Sequence, residues 1–141
     1  MYMLTDKCFD FDCKSKCNDS PLRRLKYLDV SNCSNITDVA ILYLSKACRF
    51  LCEIHLHGVH RLTDKSVAYI SESKRLMQDS NGENLRKISL KFCINLTDHA
   101  LHVLSSGCKF LEEIVLDGCV QLTDEGIKQL SSSCTALKAL S

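Results

Sequence analysis

A period of 26 residues runs through most of the chain and restricts its fold more than any composition figure does. Leu25, Leu51, Leu85, Leu111 and Leu137 open successive units, at separations of 26, 34, 26 and 26 residues. The units read LKYLDVSNCSNITDVAILYLSKAC from 25, LCEIHLHGVHRLTDKSVAYIS from 51, LRKISLKFCINLTDHALHVLSSGC from 85 and LEEIVLDGCVQLTDEGIKQLSSSC from 111. Partial copies stand at both ends, LTD at 4–6 and LKALS at 137–141. A fixed period of this length marks an array of stacked units.

Each unit changes periodicity at its middle. Its opening puts apolar residues at the first, fourth and sixth positions, as in Leu111, Ile114 and Leu116, and the last two fall on one inward side of a short strand. After Thr-Asp the spacing becomes helical: Ala100, Leu101, Leu104 and Cys108 share one face of a 3.6-residue period. Thr97 suits the N-cap of that helix, and Asp98 suits the positive end of its dipole. A strand-plus-helix unit this small cannot bury its apolar face alone, so neighbours must stack into a curved solenoid, with a parallel ladder of strands on one side and helices on the other. Burying a Leu or Ile is worth roughly 1.5–3 kcal/mol, so the stack itself is the expected source of stability. The expectation is an α/β solenoid of four units over 25–141, with 1–24 a remnant of a preceding unit plus an irregular linker.

Ten cysteines in 141 residues would, by count, suggest a secreted disulfide scaffold. Their positions outweigh their number. Cys33, Cys48, Cys93, Cys108, Cys119 and Cys134 fall at two fixed points of the repeat, as packing residues do, because a reduced Cys acts as a small buried hydrophobe. A net charge of +1 with no basic block gives no reason to expect nucleic acid or anionic lipid as a partner. No stretch approaches the run of about eighteen apolar residues that a membrane span needs. The opening MYMLTDKCFDFDCKSKC breaks itself with Asp and Lys before a signal-peptide core can form. An intracellular protein, cytoplasmic or nuclear, is expected.

The units resemble the cysteine-containing class of leucine-rich repeats. The pattern L-x-x-L-x-L-x-x-C-x-x-[IL]-T-D-x-[AG]-[LI]-x-x-[LI] is matched almost in full from 25, 85 and 111, and the four units cover nearly all of 22–141. The resemblance implies a right-handed leucine-rich-repeat solenoid. It also implies that Cys33, Cys93 and Cys119 turn the chain after each strand, while Cys48, Cys108 and Cys134 pack at the helix ends. Unit two departs from the pattern, with Val59 and Lys74 at the two Cys positions and Ser66 where Ala or Gly is usual. Proteins with this repeat include the F-box/LRR substrate receptors of cullin-type ubiquitin ligases and the antagonist-of-mitotic-exit-network group, which lacks ligase chemistry. An F-box is a helical segment preceding the repeats. Residues 1–24 do not read as one, so contact with a ligase adaptor is expected only through a segment outside this chain.

The chain enters one unit at Leu4 and leaves another at Ser141 without polar capping units, which suggests a piece of a longer array. In 8–24, Phe9 and Phe11 suit the end of a broken first helix, and Asn18-Asp19-Ser20 with Pro21 signals a turn. The eight extra residues of unit two are MQDSNGEN at 77–84, polar and with a Ser-Asn-Gly turn signal, so they are expected to loop out as a tolerated surface insertion.

Few residues suggest chemistry. Glu53, His55 and His57 alternate along one strand and share its outward face. Two His and a carboxylate can ligate zinc, but the same positions are simply the solvent-facing edge of the ladder, and no metal site is expected there. Asp29, one strand over, favours a protonated His55 and with it a mildly pH-sensitive surface. Cys8, Cys13 and Cys17 lack the paired C-x-x-C of a zinc ribbon, and are expected to be buried or incidental thiols. No His falls near the repeat cysteines to activate one, and five Gly form no phosphate loop. No enzyme and no cofactor are expected.

The interaction surface is more legible. The third, fifth, seventh and eighth positions of each unit point to the concave face. They are Tyr27, Asp29, Ser31 and Asn32; then Glu53, His55, His57 and Gly58; then Lys87, Ser89, Lys91 and Phe92; then Glu113, Val115, Asp117 and Gly118. These vary in charge and size while the inward positions stay aliphatic, as a tailored contact surface would. Tyr27 and Phe92 are the candidate anchors, with Lys87 and Lys91 as orienting charges between acidic strands. The function expected from the resemblance is substrate recognition for an SCF-type ubiquitin ligase. The alternatives are a non-ligase inhibitor or scaffold using the same face and, less favoured, a zinc protein.

Overall fold

The computed structural model describes residues 21–76 and 84–141. Among the described residues five strands alternate with four helices: β1 (Tyr27–Asp29), α1 (Asp38–Ala47), β2 (Glu53–His55), α2 (Asp64–Arg75), β3 (Lys87–Ser89), α3 (Asp98–Gly107), β4 (Glu113–Val115), α4 (Asp124–Ser133) and β5 (Ala139–Leu140). The strands form one parallel sheet in chain order, with Tyr27 opposite Glu53, Glu53 opposite Lys87, Lys87 opposite Glu113 and Glu113 opposite Ala139. This is the α/β solenoid that the period predicts, with the strand–helix order that the leucine-rich-repeat resemblance implies. Eight residues are added between units two and three, yet the strand register passes from β2 to β3 without a slip. Pro21–Arg24, read from sequence as irregular, is a 3-10 turn whose Leu22 carbonyl accepts the Leu25 N–H at 3.1 Å. The expectations for Phe9, Phe11, Cys8, Cys13 and Cys17, and for all of the insertion but Asn84, lie outside the described residues.

The inward strand positions and the inner helix faces make one continuous core, in which Leu56, Leu62, Leu90, Leu104, Leu111 and Ile114 are fully buried. The seven cysteines among the described residues are all free thiols. Five of them are buried, and the sulfhydryls of Cys93 and Cys119 donate to the Leu56 and Leu90 carbonyls of the preceding unit at 3.2 and 3.0 Å. Burial pushes the thiol pKa values up, to about 11 for Cys48 and about 12 for Cys93 and Cys108. The repeated thiol is therefore a packing group with a weak hydrogen bond.

Unit two solves its departures locally. Val59 fills the first Cys position and is fully buried. At the second, Lys74 is buried, and its ammonium donates to the carbonyls of Arg49 at 3.1 Å and Leu51 at 2.5 Å, stitching α2 to the turn that precedes β2. Ser66 is buried because its hydroxyl donates to Asp38 at 2.5 Å. Helix α3 then approaches α2 closely at Gly107, where a Cβ would strike the Ser71 carbonyl and hydroxyl.

The Thr-Asp pair links the units. Asp38 accepts the Thr63 N–H at 2.9 Å and the Thr63 hydroxyl at 2.6 Å. Asp64 does the same for Thr97 at 2.8 and 2.5 Å, and Asp98 takes both groups of Thr123. The sequence suggests a dipole role for Asp98, but each of these three carboxylates is also committed to the next unit's helix start.

Candidate protein-interaction face

The face begins in the backbone. Strands β1 to β4 are three residues long, yet the pairing continues beyond them: Val30 N–H donates to the His55 carbonyl (3.0 Å), and Asn32 N–H to that of His57 (2.7 Å). The same bonds recur from Leu56 to Ser89 and Gly58 to Lys91, then from Leu90 to Val115 and Phe92 to Asp117. The ladder is thus held to the eighth position of the first three units, which fixes the side chains at positions three to eight in rows across the sheet.

The first two strands carry an acidic and aromatic corner. Tyr27, half exposed, lies with its ring centroid 5.3 Å from that of His55. Partial desolvation, then the carboxylates of Asp29 and Glu53, raise the Tyr27 phenol pKa. Asp29 accepts the Ser31 N–H at 2.9 Å, and bonds from Ser31 hold its carboxyl below the usual range. His55 stands opposite Asp29 in register, as the repeat predicts, but its Nε2 bonds to Glu53 Oε1 at 2.7 Å. His57 turns the other way, its ring 5.4 Å from that of Phe92. Glu53, His55 and His57 therefore do not converge, and no trio of His, Cys, Asp or Glu among the described residues is placed to hold a metal ion.

The centre of the face is basic and aromatic. Lys87 reaches Glu113 at 3.5 Å, and the Lys91 ammonium lies 5.3 Å from the Phe92 ring centroid. Phe92 is itself 44% exposed. Val115 and Asp117 complete the row on and after β4. Ser89 is the exception: it occupies a face position but is buried, being a short side chain between its register neighbours His55 and Val115. It belongs to the floor of the face.

Two residues escaped the sequence reasoning. Ile94 and Val120 are exposed apolar side chains at the same register position, each directly after a buried cysteine. That alternation, applied one residue further along the unit, would have found them. Beneath them Asn95 donates to the His60 carbonyl at 2.7 Å and Gln121 to that of Ile94 at 2.9 Å, so this edge is ordered from unit to unit.

No family model matches the sequence, and none of the curated proteins matches it significantly. Among solved structures the chain is similar to one in the crystal structure of the Rad7 and Elc1 complex in yeast, with a TM-score of 0.57 and 20% sequence identity. The match covers 78% of this chain and 27% of that one, so this chain spans about a quarter of the yeast chain's length. The likeness is one of fold. No described helix is long and apolar enough to cross a membrane.

Proposed function

We propose that the chain is a protein-binding leucine-rich-repeat module that holds a target on its concave strands, and that it serves substrate recognition for an SCF-type, cullin-based ubiquitin ligase. One observation carries the binding role: a uniformly aliphatic inner face fixes the rows, while the free face changes from Tyr27 and Asp29 to Lys87, Lys91 and Phe92 within three units. The similar yeast chain comes from a complex of two proteins, Rad7 and Elc1, which supports assembly with a protein as a use of this fold. The ligase link rests on the resemblance to F-box/LRR receptors. Any adaptor contact is assigned to a segment outside this chain. The module does no covalent chemistry of its own, in keeping with thiols whose burial suppresses the reactive thiolate.

The test is affinity capture from cells with the unaltered chain and with Lys87→Glu, followed by depletion of the chain. A ligase receptor loses its target on the concave substitution, and the target accumulates on depletion. If the target is captured but its abundance does not respond, the chain is a scaffold or inhibitor.

A further inference from the structure

We infer that the concave face takes its partner through an apolar anchor seated at Phe92, and that the matching segment carries an aliphatic or aromatic side chain flanked by carboxylates. This rests on the concave-face reading above and adds the chemistry of the ligand.

The eighth position of every unit adopts a left-handed backbone, with φ of 61° at Asn32, 70° at Gly58, 59° at Phe92 and 74° at Gly118. Gly takes this conformation without strain and Asn tolerates it, but for a bulky residue it is an outlier. Strain of this kind persists where the surroundings enforce it, and it concentrates at functional sites. Burial does not offset it here, because the ring is 44% exposed. The neighbours are arranged to hold the ring: His57 flanks it, and Gly118 leaves room, since a Cβ there would collide with it.

The patch extends beyond one ring. Ile94 lies two residues on, and Val120 repeats it in the next unit; both are exposed. Lys91 stands over the ring, while Arg61 is exposed at the same edge one unit earlier. Asp117 is the carboxylate nearest in register, so cations outnumber anions around the apolar surface. An apolar anchor with acidic neighbours is the complementary ligand.

The experiment selects binders to the full chain from a random dodecapeptide phage library and measures the synthesised peptides by fluorescence polarisation. Enriched peptides should pair Phe, Leu or Ile with Asp or Glu, and Phe92→Gly should weaken them about tenfold or more. Lys91→Gln should weaken them less, and added salt should act in the same direction. The unfolding midpoint of Phe92→Gly should not fall, because the strain is removed with the ring. A midpoint several degrees lower with binding intact would show that Phe92 is kept for packing and would overturn the inference, as would enrichment of peptides without the pattern or of none. If Tyr27→Ala or Lys87→Glu weakens the selected peptides while Phe92→Gly does not, the concave face stands and only the anchor fails. If no concave substitution matters, the underlying reading fails.

Discussion

The carboxylate of Asp64 holds both the backbone N–H and the hydroxyl of Thr97, 33 residues away, at 2.8 and 2.5 Å. It thereby fastens the start of α2 to the start of α3. Hydrogen bonds to a charged group contribute about 1.5–3 kcal/mol, so Asp64→Ala should lower stability by that order in urea denaturation. Thr97→Val, which loses the hydroxyl and keeps the N–H, should cost less. The two together should cost less than their sum, since they share one interaction.

The same arrangement sets an acid limit. Burial opposes ionisation of Asp38, but bonds from Ser66 and Thr63 outweigh it and leave its pKa lowered; the Thr123 hydroxyl and N–H lower that of Asp98. A carboxyl with a lowered folded pKa stabilises above its unfolded value, about 3.9, and loses that contribution as pH falls through the folded value. Unfolding midpoints should therefore be level from about pH 5 to 8 and drop below about pH 4. Asp38→Asn should be less stable at neutral pH, with a shallower fall in acid.

Lys74 tests how unit two tolerates its missing cysteine. Lys74→Met keeps the stem but strips the donor from the Arg49 and Leu51 carbonyls, and should destabilise by about 1–3 kcal/mol in the same assay. Lys74→Cys restores the repeat residue but leaves a void where the longer stem ran. It should not exceed unaltered stability, which denaturant midpoints will show.

Thiol labelling should separate packing cysteines from accessible ones. Cys33 and Cys52 are partly exposed, whereas Cys48, Cys93, Cys108, Cys119 and Cys134 are buried. With iodoacetamide at mildly alkaline pH, mass spectrometry should find the first two modified well before the other five, which should react only once denaturant is added.

For recognition, Tyr27→Ala should weaken capture of a cellular partner by about tenfold or more and leave the unfolding midpoint within a degree or two. Lys128→Ala on the exposed side of α4 should change neither. Pull-down with paired thermal melts decides between them.

Much of the fold was legible because the repeat states it redundantly. Leu51, Leu85 and Leu111 mark the register, and a period of 2 changing to 3.6 separates strand from helix in every unit. What escaped was the detail that depends on neighbours across units. Asp98 looks like a dipole residue until Thr123 is seen beside it, and Ser89 looks exposed until His55 and Val115 flank it. Lys74 looks like a defect because no period can show that a long side chain reaches carbonyls more than twenty residues back. The left-handed turn at Phe92 is masked by its side chain, which gives no hint of the Gly and Asn at equivalent positions until the units are aligned.

The spacing of the ladder also bears on the shape of what it can hold. Adjacent strands lie about 4.8 Å apart, whereas side chains on one side of an extended peptide recur every 6.8 Å or so, and the turns of a helix every 5.4 Å or so. A strand laid across β1 to β4 falls out of step with the rows within two units. A helix crossing at a modest tilt keeps pace with them, so, on the proposed concave-face reading, the rows suit a partner that brings a rod.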